Sequence, residues 1–416
     1  MRESEFFEIT EKAGGAAYLV GGAVRDRLMG RAAHDRDYVV CGLTLERFAE
    51  LFGDARAVGR SFPVFLLEID GLLCETAFAR RERKADSGYR GFELQYAPDV
   101  TIEEDLFRRD ITINSMALDK DGRLIDPYRG REDVEARIVR ATSKHFSEDP
   151  VRALRAARQA AQLGFDIAAD TLELMAACAR ELRDEPEERK FAELEKALSA
   201  GSPSLYFRNL LNAGLLEQEY PYIYRLIGKR LPACRPTGDA FDSAMAALDY
   251  AAARGAPPEV RFAALMRGTA GRLTHDGTLL SGGGCELPAE ILASMRLPKR
   301  WRQCAELAVS EGARRQAEKS AAEIRAIIRK LERHPLGCEG FRIVIEAYNG
   351  GEAPPFLSDF GRYLSALKSA AALPLPEGLK GKERGELIKS RETAALQKII
   401  EDDERGSRPR KEAEKL

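Results

Sequence analysis

An α+β chain is expected, with a small mixed β-sheet in residues 1 to 140 and helices from there to the end. Three observations predict it. Short apolar runs bounded by turn residues fill the first 140 residues, whereas after Phe146 the apolar positions recur at helical spacing almost to the C-terminus. One early run, residues 17 to 20, stops at Gly21-Gly22. Another, Tyr38-Val39-Val40, starts directly behind Asp35-Arg36-Asp37.

The first run reads as a buried strand, the glycine pair as a turn where backbone can approach a ligand, and residues 23 to 29 as the helix that follows. Such a turn suits phosphate. Asp35 and Asp37 open the next strand, and a period of two puts both carboxylates on one face, a place for divalent metal. Residues 64 to 69, Asp70-Gly71 and residues 72 to 77 read as a hairpin, because Asp-Gly supplies the positive φ values of a tight turn. Glu75 on its second strand is either a sheet-edge acid facing water or a third carboxylate turned toward the metal site. Residues 80 to 90 are basic, contain glycine and lack periodicity, which predicts a mobile loop. Residues 103 to 118, EEDLFRRDITINSMAL, begin as a helix and pass into a strand-like run carrying Arg108, Arg109, Asp110 and Asn114. A turn, a short helix and a strand-like tail follow from Leu124.

Residues 147 to 164 give the sharpest helix: Asp149 as N-cap, Pro150 at the first helical position, Gly164 at the C-cap. Arg152, Arg155 and Arg158 recur every three residues and so form a stripe about 120° wide. With no acids between them they repel one another, unless they hold an anion or a base. Beyond, amphipathic helices alternate with turns, residues 276 to 284 read as a loop, and basic clusters stand at 299–302, 314–315, 325–333 and 378–391. Each is either a solvated helix face or part of a track for an RNA backbone. The last dozen residues should be frayed.

Across 416 residues the net charge is −2 with 32% charged residues, so nucleic-acid binding is neither implied nor excluded by charge alone. The N-terminus has acids where a secretion signal needs a basic start, and no run reaches the length of a membrane span; a cytoplasmic location is expected. Seven cysteines, at 41, 74, 178, 234, 285, 304 and 338, lack paired spacing and read as reduced core residues. Nothing in the sequence sets an oligomeric state.

Taken together, GGAVRD (21–26), DRD (35–37), VGRSFPVF (58–65), RERK and GYRGF (81–92), RRDITINSMA (108–117), DPYRGREDV (126–134) and EDPVRALRAAR (148–158) resemble the bacterial class II tRNA nucleotidyltransferases, the CCA-adding enzymes of the DNA polymerase beta superfamily. The resemblance implies a nucleotidyltransferase head over residues 1–140, a helical neck over 141–225, a helical body over 226–285 and a tRNA-binding tail over 286–416. It implies that Asp35 and Asp37, with Glu75 beside them, hold two Mg2+ ions, and that Gly22 and Arg25 contact the triphosphate of CTP or ATP. Arg109, Asp110 and Asn114 would belong to the ribose-reading element. Asp149, Arg152, Arg155 and Arg158 would line the nucleotide pocket facing the 3′ end of tRNA.

Cytosine and adenine each present an amine beside a ring acceptor, whereas uracil and guanine present a carbonyl in the amine's place. A carboxylate and a guanidinium, Asp149 and Arg152, would take the first two and refuse the others. Residues 237–273 resemble the HD phosphohydrolase body of one bacterial branch, but Asp242 stands where a histidine belongs, and Arg267 and Gly268 replace the His-Asp pair. A helical remnant without phosphatase activity is expected. The rival readings are an enzyme adding only A or only CC, a poly(A) polymerase, or an inactive RNA-binding protein.

Overall fold

The computed structural model describes residues 1–32, 35–58, 64–84, 92–231, 238–269, 272–274, 278–280, 296–312 and 319–407. The chain divides into two compact units, Met1–Glu219 and Tyr220–Leu416. The expected boundary at 225/226 falls just beyond this division.

In the first unit, helix α1 (Glu3–Lys12) leads into strand β1 (Ala16–Val20), helix α2 (Gly22–Leu28), strand β2 (Asp37–Cys41), helix α3 (Leu45–Leu51) and strands β3 (Arg56–Val58), β4 (Val64–Ile69) and β5 (Leu72–Phe78). After β6 (Arg80–Lys84) and β7 (Phe92–Tyr96) come helix α4 (Ile102–Phe107), the short strands β8 (Ala117–Leu118) and β9 (Leu124–Ile125), and helix α5 (Gly130–Ala136). Seven strands form one sheet in the order β3-β4-β5-β2-β1-β8-β9, with β2 and β5 parallel and the other pairs antiparallel. This is the mixed sheet the sequence predicts. Asp70 (φ 52°) and Gly71 (φ 77°) make the left-handed turn of the β4-β5 hairpin.

Helices follow: α6 (Val151–Leu163), α7 (Ala169–Ala177), α8 (Ala179–Leu182), α9 (Glu187–Leu198) and Ser204–Asn212. Alanines on α6, Ala153, Ala156, Ala157, Ala160 and Ala161, are all buried, which lets α9 and the 204–212 helix pack closely on it. Gly164 adopts the left-handed C-cap conformation expected of it. The N-terminus is displaced by one residue: Pro150 is the N-cap, and Asp149 stays extended while its carboxylate accepts the Val151 N–H at 3.2 Å.

Two other expectations change. Residues 80–84 of the predicted loop pair with β7 as strand β6, because antiparallel pairing overrides a polar composition; the rest of that loop, 85–91, lies outside the described residues. The strand-like run after Asp110 is mostly a 3₁₀ turn, Thr112–Asn114, followed by the two residues of β8.

Among the described residues, the second unit is mainly helical, with one two-stranded pair, Arg272–Leu273 with Leu279–Leu280. Its core joins Val260, Cys304, Ile328, Phe341, Val344 and Leu396. Several basic residues read as an RNA track serve as internal ties here. Arg325 and Arg329 both pair with the buried Glu392, and Arg300 pairs with Glu259 at 2.7 Å. Cys41, Cys74, Cys178, Cys304 and Cys338 carry free thiols. The 314–315 cluster, Cys234, Cys285, residues 408–416 and most of the 276–284 loop lie outside the described residues. Among the described residues, no helix is long and apolar enough to cross a membrane.

Candidate active site

The sheet's register builds the site. Val20, the last residue of β1, pairs with Asp37, the first of β2, and Asp37 in turn pairs with Glu75 on the parallel β5. On the other side Val20 pairs with Ala117, and the Gly21 N–H donates to the Met116 carbonyl at 3.4 Å. The glycine turn, the carboxylates and the 3₁₀ turn carrying Asn114 therefore meet at one end of one sheet. Gly21 has φ 72°, a conformation L side chains avoid, and it sets the direction in which α2 leaves the strand. A Cβ at Gly22 would meet only the end of the Arg25 side chain, at 3.4 Å, so this glycine keeps the backbone open to a ligand.

These elements and α6 enclose a cavity of about 980 Å³. All twelve residues singled out in the sequence line it: Gly22, Arg25, Asp35, Asp37, Glu75, Arg109, Asp110, Asn114, Asp149, Arg152, Arg155 and Arg158. The strand begins at Asp37, and Asp35 lies just before it. Asp37 opens onto the cavity yet is hemmed in by protein. Loss of hydration raises its carboxyl above the ordinary range, the negative charges of Glu75 and Asp35 add to this, and Arg109 and Arg155 oppose it. Hard oxygen donors that repel one another are what a divalent cation relieves, so the donor set fits one. Among the described residues, no three His, Cys, Asp or Glu side chains converge closely enough to form a ligand cluster. The aspartates and Glu75 share a wall of the cavity without closing into such a set.

The arginines are held by acids, several of which the sequence did not single out. Asp105, fully buried on α4, receives Arg108 at 2.5 Å and Arg109 at 3.1 Å. Burial pushes the Asp105 carboxyl up, but the two guanidiniums outweigh it and hold it below the ordinary value. Asp110 pairs with Arg155 at 2.6 Å; its burial also acts upward, and Arg155 and Arg152 again win. Arg158 pairs with the buried Glu193 of α9. The stripe thus has counter-charges after all, drawn from α9 and from the RRD element, which corrects the expectation of mutual repulsion. Arg25 donates to Asn114 Oδ1 at 2.7 Å and to Asp26 at 2.8 Å, tying the glycine turn to the 3₁₀ turn.

Asp149 and Arg152, the two residues expected to read the base, are also pre-set. Arg189 on α9 donates to both oxygens of Asp149, at 3.1 and 2.9 Å, and is itself held by the buried Glu185 at 2.5 Å. Arg152 donates to the His145 carbonyl at 2.8 Å. Sequence reasoning missed Asp105, Arg189 and Glu193. Only their position on helices was visible; Asp105 holds arginines three and four residues away, whereas Glu193 and Arg189 meet their partners across 35 and 40 residues.

Residues 17–140 match the family described as Poly A polymerase head domain, and residues 164–226 the family described as the probable RNA and SrmB-binding site of polymerase A. The chain is 40% identical over 407 residues to the "Multifunctional CCA protein" of Thioalkalivibrio sulfidiphilus, covering 92% of this chain and 98% of that one. It is 36% identical over 396 residues to the "CCA-adding enzyme" of Pseudomonas putida, covering 91% and 98%. In fold it is similar to the crystal structure of the Bacillus stearothermophilus CCA-adding enzyme in complex with CTP, with a TM-score of 0.64 at 23% identity over 97% of this chain and 98% of that one.

Proposed function

The chain belongs to the CCA-adding enzyme family, and we propose that it adds and repairs the 3′-terminal CCA of tRNA from CTP and ATP, with Arg155 and Arg158 lining the nucleotide pocket and the other ten cavity residues in the roles given below. The observation that carries this is the convergence of all twelve in one cavity of one unit. The family works with divalent metal ions, and we take the ion here to be Mg2+, held by Asp35 and Asp37 with Glu75 beside them. When bound, the metal would acidify the primer's 3′-hydroxyl and neutralise the departing pyrophosphate.

The protein's own groups do the rest. The backbone at Gly22 and the Arg25 guanidinium, steadied by Asn114, bind the triphosphate. Arg109, fixed by the buried Asp105, Asp110 and Asn114 face the ribose. Asp149 accepts from the exocyclic amine of cytosine or adenine and Arg152 donates to the ring acceptor, so the protein surface takes the place of a template strand. Arg25, Arg109 and Arg152 are each already anchored by a second protein group, so little reorganisation is left for the moment of transfer.

The test supplies tRNA transcripts lacking CCA, or ending in C or CC, with CTP and ATP separately and together, and sequences the 3′ ends. Completion of CCA on all three is expected, and its loss in Asp35→Ala and Asp37→Ala. Extension by A alone, by CC alone or by an A tract would replace the proposal with the corresponding rival enzyme. No extension by the wild type would reduce the chain to an RNA-binding protein.

A further inference from the structure

We propose that Phe107, Tyr128 and His145 form a stacking platform at the rim of the cavity for the unpaired bases of the RNA 3′ end. Among the described residues, the strongly exposed large apolar side chains are non-aromatic with one exception, Phe107, at 42% exposure. A single exposed apolar residue is ordinary. Phe107, however, is one of three adjoining rings. Its centroid lies 5.1 Å from that of His145, edge-on, and 5.6 Å from that of Tyr128.

Two of the three rings are held through their own polar atoms, and the backbones of Phe107 and His145 are tied together. The Tyr128 hydroxyl donates to the Glu103 carbonyl at 3.0 Å, His145 Nδ1 lies 2.8 Å from Glu148, and the Ser143 hydroxyl donates to the Phe107 carbonyl while accepting the His145 N–H. A cluster held this firmly and left open to water has lost little freedom still to lose on binding a flat ligand.

The cluster also belongs to the site by connection. Phe107 directly precedes Arg108, which lines the cavity, and the His145 carbonyl anchors Arg152 at 2.8 Å. Yet none of the three rings lines the cavity itself. On the proposed function the cavity takes the nucleoside triphosphate, and the rings, standing outside its lining, are placed for something that reaches into it from outside. The RNA whose 3′ end must enter is such a ligand, and exposed Lys144 beside His145, with Arg108 and Arg152, supplies the cations that accompany aromatic stacking of single strands.

The inference rests on the proposed tRNA substrate, and binding is therefore measured apart from catalysis. A tRNA transcript with 2-aminopurine in its unpaired 3′ segment is titrated, without nucleotide, with the wild type, F107A, F107L and F107W, and melting temperatures are recorded for each. Quenching by the wild type and F107W, with its loss in F107L, is expected; F107L keeps an apolar side chain of similar bulk and so preserves the fold. In the extension assay F107A should raise KM for primer tRNA about 5- to 150-fold, with KM for CTP unchanged. Equal quenching by F107L, or an unchanged KM for tRNA in F107A, would overturn the platform. A rise confined to KM for CTP would overturn it too, by assigning the ring to the incoming base. Absence of extension with quenching intact would strike the proposed reaction and leave the platform standing.

Discussion

Asp37, open to the cavity but poorly hydrated, and Asp105, fully buried, are carboxylates pulled in opposite directions, and each makes a prediction. Burial, then Glu75 and Asp35, hold the Asp37 carboxyl above its ordinary value. A raised pKa means the folded protein binds that proton more tightly than the unfolded chain, so the associated stability is present below the unfolded value, about 3.9, and is lost as pH rises through the folded one. At neutral pH the ionised group is a burden carried for function. Asp37→Asn should therefore abolish nucleotide addition while raising the melting temperature of the metal-free protein, by about 2–4 °C for each kcal/mol recovered. A lowered melting temperature would make Asp37 a structural residue instead. Asp105 has the opposite sign: its carboxyl is held down by Arg108 and Arg109, so its stability is present above the unfolded pKa and lost as pH falls through the folded one. Asp105→Asn should cost about 3–5 kcal/mol in denaturant titrations at pH 7, the gap closing only below the ordinary carboxylate range, and should raise KM for the nucleotide. The sequence shows three adjacent acids, Glu103, Glu104 and Asp105, and nothing local says which is buried. Glu104 closes the capping box with Thr101, and tertiary packing alone turns Asp105 inward.

Helices α6 and α9 show where sequence periodicity informs and where it stops. The helical pattern of α6, its C-cap glycine and its arginine stripe were all legible, because each is set by residues within one or two turns. The partners of the stripe were not legible, because Asp110 and Glu193 come from elements 45 residues before and 35 residues after the arginines they meet. The same holds for Arg189, which reaches Asp149 across 40 positions. Its double contact fixes the carboxylate that would accept the base's amine. Arg189→Ala should lower the ratio of kcat/KM for CTP to that for UTP about ten- to a hundredfold, the scale of one charge-assisted hydrogen bond, while Arg189→Lys retains part of it. An equal fall for both nucleotides would assign Arg189 to the scaffold rather than to discrimination. Strand β6 went unseen for a related reason: its basic residues carry no alternating pattern, and only β7 on the far side of the loop makes them a strand.

At the scale of the whole molecule, the chemistry is concentrated in one unit. Every cavity residue lies within Met1–Glu219, and in the second unit, where an HD-like body was expected, Arg267 and Asp242 make structural contacts. The Arg267 guanidinium lies over the Tyr348 ring, 5.1 Å from its centroid, and donates to the Ala347 carbonyl at 3.3 Å. Asp242 sits in the first turn of helix Ala240–Ala253, where its N–H is capped by Asp239 at 3.0 Å. On the HD resemblance, Arg267 stands where a metal ligand would be expected, and a guanidinium cannot ligate a divalent ion because it offers no lone pair at any accessible pH. His145 and His334 are far apart in sequence from these positions, and His34 and His275 lie outside the described residues. The purified protein should therefore extend tRNA but show no metal-dependent hydrolysis of a 2′,3′-cyclic nucleotide or a phosphate monoester with Ni2+, Mn2+ or Mg2+. Hydrolysis that survives Asp37→Asn and disappears in Asp242→Ala would restore a second active site to this unit. Hydrolysis lost with Asp37 would instead place that activity in the cavity of the first.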